Sequence, residues 1–321
     1  MNTRKILIVL GEPNSTFTEV LFKYFQSKKF KNNKSIIVLI GSKKLFEIQM
    51  KKLKYNLKVK EINNINQASL KIVNIINVNY KFKKPFSKIT QNSNIYINQC
   101  FDLSLDLMEK KKANYLINGP VSKNHFLKKK YPGVTEYIAA KTNSKEPVML
   151  IYNEKLSVTP LTTHIPVKNV SKFVKKKKII NSVIKIKNFY KRHFKINPQI
   201  AVLGLNPHCE TTSKISEEKK EIIPAINYLK KGSIKISGPF PADTFFLKKN
   251  IKKFHVVLGM YHDQVLTPVK TLYKFKAINV TLGLPFIKVT PDHGPNYHMI
   301  GQNKSDPSSI FYAFNFLKKI K

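Results

Sequence analysis

Three histidines occupy the same kind of position, just after a segment predicted to be a buried strand. They are His164, His208 and His262. Because ligands bind beyond the carboxyl ends of strands in an open α/β sheet, we expect these imidazoles to face a common site. Three imidazoles can hold a catalytic divalent metal and leave an open position for substrate. Alternatively, each histidine is an unrelated loop-edge residue; the repeated position favours the metal.

The segment 255–294 carries the densest group of polar residues that a core does not need. These polar residues follow or interrupt two apolar, strand-like runs at 255–260 and 277–282. A strand that ends in His-Asp-Gln presents an imidazole, a carboxylate and an amide at one sheet edge. We therefore interpret this segment as part of an active site, with these polar members: Tyr261, His262, Asp263, Gln264, Lys270, Asn279, Lys288, Asp292, His293 and Gly294.

Strand-like and helix-like runs alternate along the chain. Apolar runs at 5–10, 35–40, 115–117, 148–152, 156–161 and 199–203 predict buried strands. Helical spacing or capping signals predict helices near 16–27, 45–53, 94–111, 170–192, 217–230 and 308–319. This alternation predicts an α/β fold, in which mostly parallel sheets are covered by helices on both faces. The segment 59–90 is irregular and rich in Asn and Lys, with one strand-like run at 70–76.

The formal net charge of +40 at first suggests a nucleic-acid-binding protein. Arginine, which base recognition and two-pronged phosphate binding favour, occurs only at Arg4 and Arg192. Abundant lysine together with asparagine and isoleucine is typical of a strongly AT-biased genome. We therefore expect no nucleic-acid partner, and a positive field that attracts small anionic substrates.

Cysteine content and hydropathy indicate the compartment. Cys100 and Cys209 give neither a disulfide framework nor zinc-finger spacing. No run approaches the roughly 20 apolar residues of a membrane span, and the run at 6–10 is too short for a signal-peptide core. We expect a cytoplasmic protein without a membrane partner.

Seven motifs in order along the chain resemble the 4-hydroxythreonine-4-phosphate dehydrogenases of pyridoxal phosphate biosynthesis. The resemblance covers essentially the whole chain and is most specific between Tyr261 and Gly294. The motifs are Gly-Pro-Val-Ser-Lys at 119–123, Thr-Thr-His-Ile-Pro at 162–166, Leu-Asn-Pro-His at 205–208, Gly-Pro-Phe-Pro-Ala-Asp-Thr at 238–244, Tyr-His-Asp-Gln at 261–264, Asn-Val-Thr-Leu-Gly-Leu-Pro at 279–285 and Asp-His-Gly at 292–294.

The resemblance implies a fold similar to the isocitrate and isopropylmalate dehydrogenases, with the active site in the cleft between two α/β/α domains. We expect residues 1–120 with 265–321 to form the first domain, and residues 121–264 to form the second, which carries the dimer and metal contacts. The implied activity is oxidation and decarboxylation of 4-phosphooxy-threonine to 3-amino-2-oxopropyl phosphate by a homodimer. The implied cofactors are NAD or NADP and a divalent metal, Zn²⁺, Mg²⁺ or Co²⁺.

The resemblance also implies the roles of individual residues. The family's metal ligands match His164, His208 and His262, and its substrate contacts match Thr135, Lys270 and Asn279. The site is completed across the dimer interface. A metal beside the substrate hydroxyl would favour hydride loss and then stabilise the enolate left after decarboxylation.

Two substrate positions depart from the family pattern. Val134 stands where a substrate-contacting histidine is usual, and Lys288 stands where arginine is usual. Lysine keeps the positive charge but loses the two-pronged grip on phosphate. No Gly-x-Gly-x-x-Gly follows a strand, so the sequence contains no Rossmann fingerprint and assigns no residue to the nicotinamide cofactor.

Asp243 is a further candidate catalytic residue because it lies between a predicted strand and a predicted helix. It could accept a proton or orient a metal ligand, or it could cap the helix N-terminus. Two rival functions stay open for the whole protein. Val134 motivates a dehydrogenase of another phosphorylated or dihydrodiol-type hydroxy acid, and the net charge motivates a nucleic-acid-binding protein on a degenerate enzyme scaffold.

Overall fold

The structure, a computed structural model, describes residues 3–127, 130–209, 215–274, 276–291 and 294–320. Its strands are β1 (Lys5–Val9), β2 (Ile36–Gly41), β3 (Val59–Glu61), β4 (Val73–Asn77), β5 (Tyr115–Asn118), β6 (Val148–Tyr152), β7 (Ser157–Thr162), β8 (Ile200–Leu203), β9 (Ile236–Phe240), β10 (Val256–Tyr261), β11 (Ile278–Leu282) and β12 (Ile287–Pro291). Its α-helices are α1 (Phe17–Gln26), α2 (Lys28–Lys31), α3 (Lys43–Lys52), α4 (Asn94–Glu109), α5 (Val134–Lys141), α6 (Val170–Phe173), α7 (Lys176–Phe194), α8 (Ile223–Lys231), α9 (Ala242–Phe245), α10 (Lys248–Ile251), α11 (His262–Tyr273) and α12 (Ser308–Lys319). A π-helix spans Glu218–Ile222, and single 3₁₀ turns occur at Ile65–Gln67, Gln91–Ser93, Val167–Asn169, Pro207–Cys209 and Tyr297–Met299.

The first of two compact units comprises Met1–Lys145 and Leu284–Leu317. Its strand order is β3-β4-β2-β1-β5-β12, and these neighbours pair in parallel. Its central strands are nearly continuous apolar runs because helices cover both faces. Helix α4 contributes Ile97 and Phe101 to the core cluster that contains Leu7 and Val38.

The second unit comprises Glu146–Gly283 and Lys318–Lys321. Its strand order is β11-β6-β7-β10-β8-β9. The β11–β6 and β6–β7 pairs are antiparallel, and the remaining three are parallel. Helix α11 packs Val265 and Val269 into the core cluster that contains Val158 and Val257. This packing fixes α11 directly behind the strand that it follows.

The predicted α/β architecture with mostly parallel sheets is confirmed by the two sheets. The chain leaves the first unit after Lys145 rather than near residue 120, because α5 packs Tyr137 and Ile138 into that unit's core. It returns after Gly283 rather than near 265, because β11 pairs with β6 of the second unit. Within the described ranges, no helix is long and apolar enough to cross a membrane.

Two of the predicted helices are interrupted. The segment 170–192 forms α6 and α7, separated at Val174 and Lys175, where the backbone is extended. The segment 217–230 begins as the π-helix and becomes regular only at α8, whose second residue is Pro224. Proline has no N–H to donate to the preceding turn, so a regular α-helical hydrogen-bond pattern cannot run through it.

Candidate active site

Four neighbouring strands of the second unit end where predicted site residues lie. Strands β7, β10, β8 and β9 are adjacent and parallel, so their carboxyl ends form one sheet edge. His164 follows β7, His262 follows β10 directly, and His208 lies in the loop after β8. Asp243 follows β9. The fold therefore places the four predicted catalytic residues after four consecutive strands of this edge.

His164 and His262 lie side by side, with ring centres 6.0 Å apart. A nitrogen–zinc bond of about 2.1 Å places each ring centre roughly 3 Å from the ion, so two rings on one ion are roughly 5–6 Å apart. The observed separation fits two ligands of one divalent ion. Imidazole nitrogen suits Zn²⁺, whereas Mg²⁺ prefers oxygen ligands.

His208 is exposed, and its φ of 55° lies in the left-handed region. Across the ranges that the structure describes, no group of three or more His, Cys, Asp or Glu side chains is placed to hold a metal ion. A single chain therefore brings two of the three histidines together. The three-histidine metal site, which the family resemblance completes across a dimer interface, stays a prediction.

The imidazole of His262 is oriented by the next residue in the chain. His262 is the first residue of α11, and its Nδ1 lies 2.6 Å from Oδ1 of Asp263. When Nδ1–H donates to this carboxylate, Nε2 keeps its lone pair for a ligand. A carboxylate that holds a histidine in this way fixes the tautomer and raises the basicity of the metal-binding nitrogen.

Two polar side chains fasten the ends of the histidine-bearing strands to one another. The Thr162 hydroxyl at the end of β7 donates to the carbonyl oxygen of Met260 in β10, at 2.7 Å. The Gln264 amide donates to the carbonyl oxygen of Gly204 after β8, at 2.7 Å, and accepts from the Met260 backbone N–H, at 2.6 Å. These bonds hold β7, β10 and β8 in register where the histidines leave them.

The sequence did not reveal the role of Thr162. It predicted that the Gln264 amide faces a ligand at the sheet edge. The structure uses that amide between strands instead. No local pattern marks these roles, because the partners are backbone groups of strands distant in sequence. A polar residue at the end of an otherwise apolar strand was the one available signal.

Asp243 is exposed and is the second residue of the four-residue helix α9. The prediction that it caps this helix is wrong, because the capping position belongs to Pro241 and no side-chain cap is formed. Its carboxylate lies after β9, which pairs with β8. This placement leaves the proton-accepting role as a prediction.

Asn279 and Lys270 are the predicted substrate contacts in the second unit. Lys270 is exposed in the last turn of α11. Asn279 lies in the middle of β11, opposite Ile151 of β6. Its Oδ1 atom is buried and has no hydrogen-bond partner in the part of the chain that the structure describes. A buried acceptor without a partner costs about 1–3 kcal/mol, so a ligand that donates to it would relieve that cost.

Val134 and Thr135 form the first turn of α5 in the first unit. Thr135 is buried, and Val134 packs against the core cluster around Phe101 and Tyr137. The valine is therefore accommodated as an apolar residue. An imidazole at this position would lose part of that packing.

Lys288 lies in β12 and is only 1 % exposed, so its ammonium group is withdrawn from the surface of the chain. Burial lowers the pKa of Lys288 to about 7, although the negative charge of Glu136 acts in the opposite direction. The phosphate contact expected of Lys288 stays a prediction, and the group that would make it is buried. Two further motif residues, Asp292 and His293, lie outside the described residues.

The loop after β1 is where a Rossmann fold would bind the cofactor pyrophosphate. Here the buried carboxylate of Glu12 accepts hydrogen bonds from the Asn14 backbone N–H, at 3.2 Å, and from the Ser93 hydroxyl, at 3.0 Å. Burial raises the pKa of Glu12, and these two bonds oppose the change. A carboxylate in this position is unsuited to a Rossmann-type phosphate contact, which agrees with the missing glycine motif.

Known proteins with similar sequences and folds identify the family. The family model for pyridoxal phosphate biosynthetic protein PdxA matches residues 33–317. A 4-hydroxythreonine-4-phosphate dehydrogenase from Sulfurihydrogenibium sp. (strain YO3AOP1) is 37% identical over 327 residues, covering 99% of each chain. The protein of that name from Aquifex aeolicus (strain VF5) is 35% identical over 322 residues, covering 99% of this chain and 98% of its own.

Structural neighbours agree with the sequence matches. A crystal structure of a 4-hydroxythreonine-4-phosphate dehydrogenase from Burkholderia phymatum superimposes with a TM-score of 0.82 at 25% identity, covering 100% of this chain and 99% of its own. Isocitrate dehydrogenase from Methylococcus capsulatus shares the fold, with a TM-score of 0.52 at 9% identity, covering 98% of this chain and 85% of its own. The predicted likeness to isocitrate dehydrogenase is thereby confirmed at the level of fold, and the chain belongs to the family of the pyridoxal phosphate biosynthetic protein PdxA.

Proposed function

We propose that this enzyme oxidises and decarboxylates 4-phosphooxy-threonine to 3-amino-2-oxopropyl phosphate, with NAD or NADP as hydride acceptor. The proposal places a divalent ion at His164, His208 and His262 in a homodimer. The observation that carries it is the pair of imidazoles at the ends of β7 and β10, at a separation suited to one ion. Membership of a family whose relatives carry this enzyme name supports the substrate.

The residues of this chain prepare the site for that chemistry. Asp263 holds the His262 ring so that Nε2 faces a ligand, and the bonds of Gln264 keep the ends of β10 and β8 together. A divalent ion bound there would supply Lewis acidity, which lowers the pKa of the substrate hydroxyl and stabilises the charge left by departing CO₂. Asp243, exposed at the same sheet edge, is the proposed acceptor of the hydroxyl proton.

Substrate contacts are proposed for the positions that match the family. The buried Oδ1 of Asn279 accepts a hydrogen bond from a substrate hydroxyl or ammonium group. Thr135 offers its hydroxyl in the first turn of α5, where helix N–H groups favour an anion. Lys270 supplies positive charge for the phosphate. Burial lowers the pKa of Lys288 to about 7, and a phosphate bound beside it would favour its protonated form. Val134 supplies an apolar contact in place of the usual histidine.

Reduced cofactor formed by the purified protein tests the proposal. We expect 4-phosphooxy-threonine with NAD or NADP to give NAD(P)H and CO₂ when Zn²⁺ or Co²⁺ is added. His164→Ala and His262→Ala should lower kcat/KM by at least about 100-fold. His193→Ala is the matched control, because this histidine lies on α7 and contacts the Phe189 ring.

Failure to form NAD(P)H with Zn²⁺, Mg²⁺ or Co²⁺ would reject this substrate. Activity on another phosphorylated or dihydrodiol-type hydroxy acid would then favour the rival function that Val134 motivates. If His262→Ala is as active as His193→Ala, His262 does not hold a catalytic metal, and the metal site is rejected.

A further inference from the structure

The loop that carries His208 is held by a buried carboxylate from a different helix. Glu218, the first residue of the π-helix, is 1 % exposed. Its Oε1 accepts hydrogen bonds from the backbone N–H of Leu205, at 2.7 Å, and of Asn206, at 2.8 Å. Its Oε2 accepts from the Asn206 side-chain amide, at 2.7 Å. Both oxygens are thus bound to the residues just before Pro207 and His208.

The Glu218 carboxylate is charged at neutral pH. Burial alone would raise the pKa of Glu218, but the hydrogen bonds from Asn206 and Leu205 together lower it below the ordinary value of 4.5. Hydrogen bonds to a charged acceptor are about twice as strong as neutral ones. Glu217 adds a fourth contact, because its Oε2 accepts from the same Asn206 amide, at 3.0 Å.

The backbone around this carboxylate has little freedom. A Cβ atom at Gly204 would lie 2.6 Å from Sγ of Cys209 and 3.2 Å from Oε1 of Glu218, so the loop closes tightly against both. His208 and Cys209 are consecutive left-handed residues, a conformation that costs non-glycine residues free energy and must be imposed by their surroundings. The bonds to Glu218 are part of what imposes it.

We propose that Glu218 is a positioning residue for metal binding. It fixes the 205–208 loop so that the His208 imidazole is presented at the sheet edge formed by the carboxyl ends of β7, β10, β8 and β9. The proposal rests on the proposed function, because it takes His208 as a metal ligand. Glu218 contacts neither metal nor substrate in this account. It acts through the loop backbone. It also begins a short π-helix, and short π-helical segments occur frequently at functional sites.

Metal affinity and amide exchange, measured on the same variants, test this role. Glu218→Gln keeps the size of the side chain, but its NH₂ group cannot accept the hydrogen bond from the Asn206 side-chain amide. Glu218→Ala removes all three hydrogen bonds. We expect the affinity of the dimer for Zn²⁺, measured by calorimetry with the metal alone, to fall about 10–100-fold in Glu218→Ala, as for other groups that orient a metal ligand. Glu218→Gln should lie between Glu218→Ala and the wild type.

Hydrogen exchange reports on the loop without any metal. The Leu205 and Asn206 amides should exchange faster in both variants, because their acceptor is weakened or lost. The matched control is Glu221→Gln, which removes a carboxylate from the same π-helix. Glu221 accepts instead from the Lys176 backbone N–H, at 2.6 Å. This control should leave zinc affinity and the exchange of the two loop amides unchanged.

The outcomes separate this inference from the proposed function. Unchanged zinc affinity in Glu218→Ala, with a wild type that binds zinc and turns over substrate, would overturn the positioning role alone. A zinc affinity that falls equally in Glu221→Gln would reduce Glu218 to a stabilising residue. A wild-type dimer that binds no divalent ion would reject the metal site itself, and with it this inference. Should Glu218→Ala fail to fold, the Glu218→Gln comparison decides by the same criteria.

Discussion

Replacing Lys288 by methionine should stabilise the protein at low pH and lose that advantage as the pH rises. Lys288 is fully enclosed, and its pKa lies near 7 in the folded state, against an ordinary value of 10.5. Between these two values the unfolded chain binds the proton more tightly than the folded chain. The free energy of unfolding of the wild type therefore rises with pH from about 7 to about 10.5.

The size of this effect follows from the two pKa values. The gap between 10.5 and about 7 corresponds, at about 1.4 kcal/mol per pH unit, to an upper limit of roughly 5 kcal/mol. Methionine has a similar length and no charge to desolvate. Lys288→Met should thus exceed the wild type in stability by up to that amount below pH 7, and the difference should shrink toward pH 10.5.

Urea unfolding of both proteins at pH 6, 7.5 and 9 measures this difference directly. Lys191→Met is the control, because Lys191 is exposed on α7 and its removal changes the net charge equally. A stability difference for Lys288→Met that does not vary with pH would contradict the lowered pKa of Lys288. It would mean that the ammonium group keeps its charge, and hence its ordinary pKa, in the folded protein.

Three further substitutions test the site. Asp263→Asn should weaken zinc binding about tenfold by calorimetry, because the carboxylate orients His262; unchanged affinity would exclude that role. Asn279→Ala should raise the KM for substrate about tenfold without lowering the melting temperature, because the buried Oδ1 has no partner in the described chain; a lower melting temperature with normal KM would assign it to the fold. Gly204→Ala should destabilise the protein by about 1–3 kcal/mol in urea, because the new methyl group would press on Cys209, and a neutral effect would contradict the tight loop.

Much of the fold could be predicted from the sequence because its central strands are buried on both faces. The runs that became β1 and β2 are almost wholly apolar and are bounded by turn residues, so composition alone marks them. Most of the segment 59–90 could not be assigned for the opposite reason. Strand β4 overlaps the one strand-like run at 70–76, but β3 has three residues and is only partly buried at the sheet edge, so it carries little hydrophobic signal.

The candidate site was predictable in its residue types and less so in its arrangement. The strand-end positions of His164 and His262 could be read locally, and the fold places the two rings together. The roles of Thr162, Gln264 and Glu218 depend on which strands become neighbours, which no local pattern reveals. The burial of Lys288 was equally hidden, because a lysine in a strand is ordinarily expected at the surface.

The position of a bound ion is the sharpest test of the proposed three-histidine metal site. Crystals of the protein grown with Co²⁺ or Zn²⁺ should show a single anomalous peak per proposed site, with nitrogen atoms of His164, His208 and His262 at about 2.0–2.1 Å. An ion bound elsewhere, or three rings too far apart to share one ion in any assembly that the crystal contains, would contradict the proposed metal site.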